Sequence, residues 1–325
     1  MSDAPDVTVV VATRNRPRRL ERLLDGLADQ TLDAGRWNLV VVHEHASGDA
    51  DTAAVLAEHP LARSGRMASL PGVEGPGPAA MRNVGWRAAH GRMIAFTDDD
   101  CRPAPTWLER LLAGAESSPG AIVQGATEPD PEERHLLATR HWVRTQDIDP
   151  PTIEAQTCNI AYPRELLERL EGFDNAMLPG LAGEDTDLCL RGIEAGAVQI
   201  AAPDAIVYHA VEPFGALGQI RRALRWQGLA YVSKRHPAFR AHYGIFWKSR
   251  HPLLLLALTG VLLSTRRRSP LALAIPWLWA VRPPPEGGIR GHLAAVKVIP
   301  VKALIDLAEL AALARGSVRH RTLFL

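Results

Sequence analysis

Three consecutive aspartates, Asp98, Asp99 and Asp100, follow the apolar run Met93 to Phe96 and one threonine. Like charges repel each other strongly in a partly buried site, and a bound divalent cation removes that repulsion. Mg²⁺ and Mn²⁺ prefer carboxylate and phosphate oxygens as ligands. The cluster therefore predicts a metal site. The alternative is a solvated acidic turn that caps the following helix.

A second acidic cluster, Glu184, Asp185 and Asp187, opens a predicted helix of residues 185–194. Carboxylates in the first turn of a helix often compensate the helix dipole, and Asp187 has a basic partner, Arg191, at i+4. We interpret Asp187 in this structural way. Glu184 and Asp185 follow a glycine-flanked loop, and we predict that they form part of a site.

The elements that must position these acids alternate along the first half of the chain. Short β-branched or apolar runs predict strands buried in a sheet, and leucines at helical spacing after Pro17 predict an amphipathic helix. This alternation predicts an α/β sheet with right-handed crossovers, in which ligands bind beyond the carboxyl ends of the strands. The predicted strands are 7–12, 38–42, 93–96, 121–126 and 157–162, and further helices are predicted at 50–58 and 79–90.

The charge distribution divides the chain of 325 residues into two parts. Residues 216–325 contain 18 Lys and Arg against 3 Asp and Glu, whereas residues 1–215 contain 19 basic and 33 acidic residues. The length corresponds to about two domains of ~150 residues. We therefore predict an α/β domain at 1–215 and a helical basic region at 216–325. Three widely spaced cysteines argue against a disulfide framework or a thiolate zinc site, and the first residues predict no signal peptide.

Within the basic region, residues 216–235 predict a basic helix, and two apolar runs, 252–264 and 270–281, flank three arginines. The runs contain 13 and 12 residues, fewer than the ~20 that a helix needs to cross a bilayer. We interpret 252–281 as a short apolar hairpin. A terminal amphipathic helix is predicted at 292–315.

The basic charge and the apolar runs together favour an anionic membrane surface as a partner. This hypothesis expects Trp277 and Trp279 to be exposed at the interface, and it places the protein in the cytoplasm, bound peripherally to the inner face of the cell membrane. The alternative is a soluble helical cap that packs on the first domain. The density of leucine argues against a nucleic-acid surface.

In chain order, the motifs of residues 7 to about 210 resemble those of the family 2 glycosyltransferases, which have the GT-A fold. The opening strand and loop, VVVATRNRP, are similar to the first strand and nucleotide-binding turn of that family. The resemblance implies a Rossmann-like mixed sheet flanked by helices, with 1–215 as the nucleotide-sugar-binding catalytic domain. The other motifs are Met81–Gly85 (MRNVG), Ile94–Asp100 (IAFTDDD), Asn159–Ala161 (NIA), Gly172–Asp174 (GFD), Gly183–Leu188 (GEDTDL) and Tyr208-His209.

The resemblance also implies an activity: transfer of a sugar from a nucleotide diphosphate sugar, with inversion at the anomeric carbon and with Mn²⁺ or Mg²⁺ as cofactor. It implies Asp100 as the main metal ligand, Asp98 near the ribose and the metal, and His209 as a further metal ligand. Asp185 resembles the general base that accepts the proton of the acceptor hydroxyl, and Glu184 would position the acceptor.

The resemblance further implies a donor-binding set. Arg82 would neutralise phosphate or hold the aspartates, with a surface helix arginine as the alternative. Glu44 stands where the family commonly has a pair of aspartates, so the identity of the nucleotide stays open. In the run His43-Glu44-His45, alternate residues share one face of a strand and could bind a metal together. No third ligand accompanies them, and we do not interpret the run as a metal site. The implied donor-binding residues are Thr13, Arg14, Asn15, Arg16, Glu44, Arg82, Asp98, Asp99, Arg225 and Trp226.

Arg225 and Trp226 are similar to the end of the Q-x-x-R-W motif of processive polysaccharide synthases. Arg222 occupies the position of the glutamine, and the long transmembrane array of those synthases is missing from this sequence. We therefore predict addition of single sugars. The basic, apolar C-terminal region indicates a lipid-linked or cell-envelope acceptor.

Two other functions are compatible with the acidic clusters. A sugar nucleotidyltransferase shares the α/β layout, but it usually has a glycine-rich loop after the first strand, and residues 13–17 contain no glycine. A non-catalytic membrane scaffold with a degenerate GT-A domain would keep the fold without needing the carboxylates. The main hypothesis remains a metal-dependent glycosyltransferase.

Overall fold

The computed structural model describes residues 4–43, 50–72, 77–139, 142–175, 177, 181–265, 267–282 and 288–325, without the side chains of 288–297. The chain divides into two compact units. The first unit contains Met1–Gly180 and Glu184–Pro213, and the second contains Leu181–Gly183 and Phe214–Leu325. The main division therefore falls at Pro213, near the boundary expected at residue 215.

The first unit is built on an eight-stranded sheet, with two further short strands paired beside it. The strands are β1 (Val7–Thr13), β2 (Trp37–His43), β3 (Met67–Pro71), β4 (Met93–Asp98), β5 (Cys101–Pro103), β6 (Ile122–Pro129), β7 (Val143–Arg144), β8 (Ile160–Pro163), β9 (Gln199–His209) and β10 (Glu212–Pro213). The order in the large sheet is β3-β2-β1-β4-β8-β6-β9-β5, and β7 pairs with β10.

The sheet is mixed in direction. Strands β3, β2, β1 and β4 run parallel to one another, whereas β8 is antiparallel to both β4 and β6. Strand β6 is parallel to β9, and β5 is antiparallel to β9. The mixed α/β sheet implied by the resemblance is confirmed. Strand β4 is central in this sheet, and Asp98 is the residue at its carboxyl end.

The short strands β3, β5, β7 and β10 are not predicted from the sequence, and the start of β8 also differs. Strand β3 forms one edge of the sheet where no strand is predicted, and β8 begins at Ile160 rather than at Thr157. An edge strand has a neighbour on one side only. Strand β3 is short, half exposed and contains a proline. Its sequence therefore shows no clear alternation of apolar and polar residues. Residues 157–159 form a turn instead of a strand.

Eight helices of the first unit accompany the sheet among the described residues. Val9 and Val11 of β1 belong to one apolar cluster and Val10 to a second, because successive side chains of a strand point to opposite faces. The leucines predicted after Pro17 are buried in the first cluster. The helices are α1 (Pro17–Ala28), α2 (Ala50–Glu58), α3 (Pro60–Arg63), α4 (Pro78–Ala88), α5 (Trp107–Ser117), α6 (His135–Thr139), α7 (Arg164–Leu170) and α8 (Glu184–Glu194).

The second unit is helical. Residues 216–235, predicted as one helix, form two α-helices separated by a 3₁₀ segment, Leu224–Gly228. A Cβ at Gly228 would collide with the carbonyl oxygen of Ala182, so glycine allows this close approach of two backbones. The helices are α9 (Ala216–Ala223), α10 (Leu229–Arg235), α11 (Pro237–Tyr243), α12 (Arg250–Leu263), α13 (Ile275–Val281) and α14 (Gly288–His320), with a further 3₁₀ segment at Ser269–Ala274.

The two apolar runs form a helical hairpin of α12, the segment Ser269–Ala274 and α13, which packs on α14. Trp279 is exposed, as predicted, but Trp277 is buried, and the expectation that it is exposed is wrong. The indole Nε1 of Trp277 donates a hydrogen bond to Asp306 Oδ2 of α14 at 3.1 Å, which holds the ring inside the unit. Among the described residues, no helix combines the length and apolar character required to span a membrane.

A buried ion network joins α12 to α14. Glu309 accepts hydrogen bonds from Lys248 Nζ (2.6 Å) and Arg250 (3.1 Å), and His251 Nε2 lies 3.2 Å from it. Arg250 also donates to Asp306 at 2.7 Å. Burial raises the pKa of Glu309, but His251 and Lys248 outweigh burial and hold that pKa below 4.5. Breaking a buried pair by removing one partner is strongly destabilising.

The network leads to a pH prediction for Glu309→Gln. Because the folded-state pKa of Glu309 is depressed, the stability that it contributes is present above about pH 4.5 and is lost as the pH falls through the folded value. At neutral pH the variant should be less stable than the parent by about 3 kcal/mol, and this difference should shrink below pH 4.5. Thermal unfolding of both proteins across pH measures it, with the exposed Glu165→Gln as control. A difference that does not change with pH would contradict the assignment.

Candidate active site

The aspartate cluster lies in the turn between β4 and β5 and is held by residues of the loop after β1. Thr13 Oγ1 donates a hydrogen bond to Asp99 Oδ2 at 2.8 Å. Arg16 NH1 spans two acids, with distances of 3.1 Å to Asp99 Oδ1 and 2.8 Å to Asp100 Oδ2. Burial raises the pKa of Asp99 to about 6, against the opposing effect of Arg16.

Asp100 has the most charged surroundings of the three acids. Its Oδ2 accepts hydrogen bonds from Arg16 and from Arg144 of β7 at 2.9 Å, and its Oδ1 lies 3.6 Å from Nε2 of His209 at the end of β9. Burial raises the pKa of Asp100, but His209, Arg144 and Arg16 outweigh burial and lower it overall. In the described part of the chain, Oδ1 has no hydrogen-bond partner.

His209 is oriented by its own backbone neighbour. Its Nδ1 lies 2.9 Å from the carbonyl oxygen of Ala210, an acceptor, so Nδ1 carries the proton and donates. This arrangement directs Nε2 toward Asp100 Oδ1, and a backbone carbonyl on the second nitrogen is typical of metal-binding histidines. The sequence prediction that Asp100 and His209 lie together is therefore fulfilled in the structure.

The donor atoms of Asp100, Cys101 and His209 lie within 4.8 Å of one another, which fits a metal ion. Burial raises the pKa of the Cys101 thiol well above its usual value, and sulfur is a softer ligand than Mg²⁺ or Mn²⁺ prefers. A carboxylate oxygen and an imidazole nitrogen remain, a donor set that suits Mn²⁺ and is compatible with Mg²⁺. Asp98 is outside this group, and its role as a metal ligand stays a prediction.

Arg82, on the second turn of α4, lies between the two acidic clusters. Its NH2 donates to Asp98 Oδ1 at 2.6 Å, and its NH1 lies 3.7 Å from Asp185 Oδ1. The side chain is buried, and its Nε and NH1 have no hydrogen-bond partner among the described residues. The alternative of a surface arginine is therefore wrong, because the two carboxylates hold this guanidinium inside the unit.

Asp185 lies in the first turn of α8, next to the buried Glu184. Its Oδ2 accepts hydrogen bonds from the backbone N–H and the hydroxyl of Thr157, both at 3.1 Å. Burial raises the pKa of Asp185, although Arg82 opposes the shift. Its Oδ1 has no hydrogen-bond partner in the described ranges, so one oxygen is fixed and the other is available.

Asp187 has the structural role that its spacing indicates. Its fully buried carboxylate accepts from Arg191 Nε at 2.8 Å, and the same guanidinium donates to the carbonyls of Leu170 and Gly172. These bonds join α8 to the end of α7. Asp187 therefore positions the helix that carries Asp185.

Asn83 of α4 fixes the loop that follows α7. It donates to the carbonyl of Phe173 (2.8 Å), accepts from the N–H of Phe173 (2.9 Å) and accepts from Trp86 Nε1 (2.8 Å). Asn83→Ala would leave these buried partners unsatisfied, and we expect a loss of about 4 kcal/mol in the free energy of unfolding. Urea unfolding measures the loss. The control is Asn175→Ala, which removes a bond to Asn83 at an exposed residue. This control should lower the free energy of unfolding by less than about 1 kcal/mol. Equal losses in the two variants would contradict the assignment of Asn83 as the residue that fixes the loop.

The remaining predicted residues are distributed as follows. Arg14 and Asn15 are exposed on the loop after β1, and Asn15 has a positive φ of 53°. Glu44 lies outside the described residues. Arg225 and Trp226 belong to the second unit, where Trp226 packs against Trp247 at 4.4 Å between ring centroids. The donor-binding roles of these residues stay predictions.

Arg144 and Thr157 are functional candidates that the sequence analysis misses. Arg144 contacts Asp100, and Thr157 orients Asp185. Neither residue belongs to a local motif of titratable groups. Arg144 is delivered by the pairing of β7 with β10, which follows His209 in the chain. That pairing is a long-range contact without a short-range signal.

The mixed sheet with helices packed around it is the architecture of the GT-A fold. The mannosyltransferase PcManGT from Pyrobaculum calidifontis, solved in complex with GDP-Man and Mn²⁺, superimposes with a TM-score of 0.55 at 20% identity, covering 98% of this chain and 87% of that one. At this identity the likeness shows the fold alone, and it confirms the predicted GT-A fold.

The sequence model of glycosyl transferase family 2 matches residues 8–170, and the chain belongs to this family. The succinoglycan biosynthesis protein ExoO of Rhizobium meliloti is 30% identical over 266 residues, which cover 76% of this chain and 72% of ExoO. Glycosyltransferase AglE of Haloferax volcanii is 26% identical over 220 residues, covering 66% and 70%. The protein is thus a glycosyltransferase, and the nucleotidyltransferase and scaffold alternatives are set aside.

Proposed function

We propose that this glycosyltransferase moves one sugar from a nucleoside diphosphate sugar to a hydroxyl group of a lipid-linked or cell-envelope acceptor, with inversion and with Mn²⁺ or Mg²⁺ as cofactor. The position of Arg82 carries the proposal. One guanidinium contacts Asp98 of the first acidic cluster and Asp185 of the second. One side chain therefore links the predicted donor-side acid to the predicted base.

The residues present fit a divalent cation. Asp100 Oδ1 and His209 Nε2 would hold it, since both atoms lie 3.6 Å apart in a buried site. A bound cation would neutralise negative charge on the diphosphate and stabilise the departing nucleotide. The complex of PcManGT with GDP-Man and Mn²⁺ supports a nucleotide sugar as donor and a divalent cation as cofactor.

The arginines of the pocket supply the donor-binding charge. Two nitrogens of Arg82, Nε and NH1, have no hydrogen-bond partner in the described structure, and their N–H groups can donate to anionic oxygens of a diphosphate. Arg16 and Thr13 hold Asp99 and Asp100 in place. The acids are thereby positioned before the donor arrives, so little reorganisation is needed on binding.

Asp185 acts as the general base. Its Oδ1 takes the proton of the acceptor hydroxyl while the acceptor oxygen forms a bond to the anomeric carbon. The bond between that carbon and the diphosphate oxygen breaks, and the nucleoside diphosphate leaves with the electron pair. Attack opposite the leaving group inverts the configuration. The raised pKa of Asp185 makes it a stronger base than an ordinary aspartate.

The acceptor class is inferred from the second unit. Residues 216–325 carry 18 basic and three acidic side chains next to two apolar runs, a combination that suits an acceptor attached to a lipid or at the cell envelope. The name of the relative ExoO, a succinoglycan biosynthesis protein, supports a glycan product.

A panel of nucleotide sugars tests the donor. Thermal unfolding is followed with each compound, with and without Mn²⁺, because a ligand that binds the native state raises the melting temperature. We expect one donor class to raise the melting temperature further when Mn²⁺ is present, and to release nucleoside diphosphate on turnover. Release of pyrophosphate, or no shift with any nucleotide sugar, would contradict the proposal. The anomeric configuration of the product, measured by NMR, tests inversion.

A further inference from the structure

We infer that the helical hairpin of α12 and α13 carries a docking surface for an anionic lipid bilayer. The inference concerns the second unit alone and does not depend on the donor or on the catalytic residues proposed above. We name its apolar part the hairpin face. The hairpin face consists of Val261, Leu262, Leu263, Ile275, Leu278 and Trp279.

The hairpin has a buried inner side. Leu254 and Ala257 of α12 and Trp277 and Val281 of α13 form an apolar cluster with Leu310 of α14. On α12 the buried residues recur every three positions, at 251, 254, 257 and 260, which defines one stripe of the helix. Among the described residues, several large apolar side chains of α12 and α13 lie outside this cluster and are exposed.

The inner side is also fixed by charge. Arg250 donates to Asp306 and Glu309, and Trp277 donates to Asp306. A Cβ at Gly260 would collide with the carbonyl of Pro270, so α12 and the following 3₁₀ segment are in close backbone contact. These contacts hold the hairpin against α14 and fix which side faces solvent.

The hairpin face is strongly exposed. The exposed fraction is 74% for Leu262, 65% for Trp279 and 61% for Ile275. Single exposed apolar residues are ordinary on protein surfaces, but several large ones concentrated in one helical hairpin indicate an interaction site. Burying these side chains in the acyl boundary of a bilayer would remove their apolar area from water.

Basic side chains surround the hairpin face. Arg267 and Arg268 are exposed in the link between the two helices, and the guanidinium of Arg282 lies over the ring of Trp279 at 3.2 Å from its centroid. Tryptophan beside arginine is typical of residues at the level of lipid headgroups. We call Arg267, Arg268 and Arg282 the cationic rim of the hairpin face.

The acids of this region are hidden. Residues 216–325 contain three acidic residues, of which Glu286 lies outside the described ranges. The other two, Asp306 and Glu309, are only 2% and 4% exposed. The described exterior of these residues therefore presents cations without acidic side chains. Each Lys or Arg near an anionic membrane surface contributes about 1 kcal/mol to binding.

This charge distribution favours a bilayer over other occupants. A second copy of the chain would bring two cationic rims together, and like charges repel. A nucleic acid would use the cations but would leave the leucines, the isoleucine and the exposed ring of Trp279 without an apolar partner. An anionic bilayer, such as the cytoplasmic leaflet, satisfies both the apolar centre and the cationic rim.

Vesicle flotation with the full chain tests the inference. The vesicles contain phosphatidylcholine either alone or mixed with phosphatidylglycerol. The parent protein should float with the mixed vesicles, and a Leu262→Glu, Trp279→Glu variant should lose at least about tenfold in partitioning. The matched control is Val198→Glu, an exposed valine of the first unit, which should float like the parent. Asp100→Asn should also float like the parent, so failure of the proposed chemistry and failure of docking are distinguishable.

Other results would overturn the inference. Equal binding to both vesicle types, or binding unaffected by Arg267→Glu with Arg268→Glu, would exclude the cationic rim. A dimer that the Leu262→Glu, Trp279→Glu variant converts to monomer by light scattering, without vesicle binding by the parent, would identify a second copy as the occupant. Displacement from the vesicles by RNA that still binds the Leu262→Glu, Trp279→Glu variant would favour a nucleic acid. Circular dichroism of every variant shows that a lost signal is not unfolding.

Discussion

Replacing Asp100 with asparagine should lower kcat/KM by about 10³-fold or more and weaken Mn²⁺ binding by at least about 100-fold. The substitution keeps the size of the side chain and removes its negative charge. Asp100 is buried, its Oδ2 neutralises Arg16 and Arg144, and its Oδ1 is the unpartnered oxygen beside His209. Titration calorimetry measures the metal affinity, and release of nucleoside diphosphate measures the rate.

The control for Asp100→Asn is Glu309→Gln, which removes another buried carboxylate paired with basic side chains. Both substitutions should lower the melting temperature, since each leaves cations without their partner. Only Asp100→Asn should weaken Mn²⁺ binding. If Asp100→Asn binds Mn²⁺ as tightly as the parent, Asp100 does not hold the metal, and the site assignment fails.

Replacing Asp185 with asparagine should lower kcat by about 10²–10⁴-fold, the usual contribution of a positioned general base. The affinity for the donor should change far less than kcat, because Oδ2 of Asp185 is bound by Thr157 and only Oδ1 lies beside Arg82. The parent protein should lose kcat as the pH falls through the pKa of Asp185, which lies above 3.8. The variant should lack this acid limb.

Glu184→Gln separates the two acids of the second cluster. Glu184 is the neighbour of Asp185 in the same helical turn, so the two substitutions remove the same charge at nearly the same place. We expect Glu184→Gln to raise KM for the acceptor and to change kcat less than Asp185→Asn does. The reverse order, with the larger loss of kcat for Glu184→Gln, would assign the base to Glu184. Single-turnover rates at saturating acceptor decide between them.

The parts of the site at the ends of regular elements could be predicted from the sequence. The apolar run before Asp98 forms β4, the helix opening at Glu184 forms α8, and Tyr208-His209 ends β9. A local pattern of residues locates β4 and α8 and thereby places their acids at an element end, whereas Tyr208-His209 is indicated only by the family resemblance. Functional residues at the end of a strand or at the start of a helix can therefore be located from short-range sequence patterns.

Arg144 and Thr157 could not be predicted in this way. Arg144 contacts Asp100 across 44 positions of the chain, and Thr157 contacts Asp185 across 28. Both lie in short or irregular segments, where no period of apolar residues fixes the direction of a side chain. Only the folded arrangement of β7 and β10, and of the turn before β8, brings them to the pocket.

Burial in the second unit shows the same limit. Trp277 and Trp279 are two positions apart in an apolar run, yet one is buried and the other exposed. The difference depends on Asp306, which lies 29 positions from Trp277 and accepts its N–H. A hydropathy scale gives both tryptophans the same value and does not distinguish the buried one from the exposed one. The hydrogen bond from Trp277 to Asp306 of α14 makes the difference. The missed edge strand β3 has a similar origin, since its position depends on β2.

Arg82 is shared between Asp98 and Asp185, which has a thermodynamic consequence. Because Arg82 stabilises both carboxylates, the free energy of ionising Asp185 depends on whether Asp98 is charged. The effects of substituting Asp98 and Asp185 should therefore not be additive. The substitution Asp98→Asn should therefore shift the acid limb of the pH–rate profile, although Asp98 itself accepts no proton from the acceptor. We therefore expect nucleotide binding beside Asp98 and the basicity of Asp185 to depend on each other through Arg82.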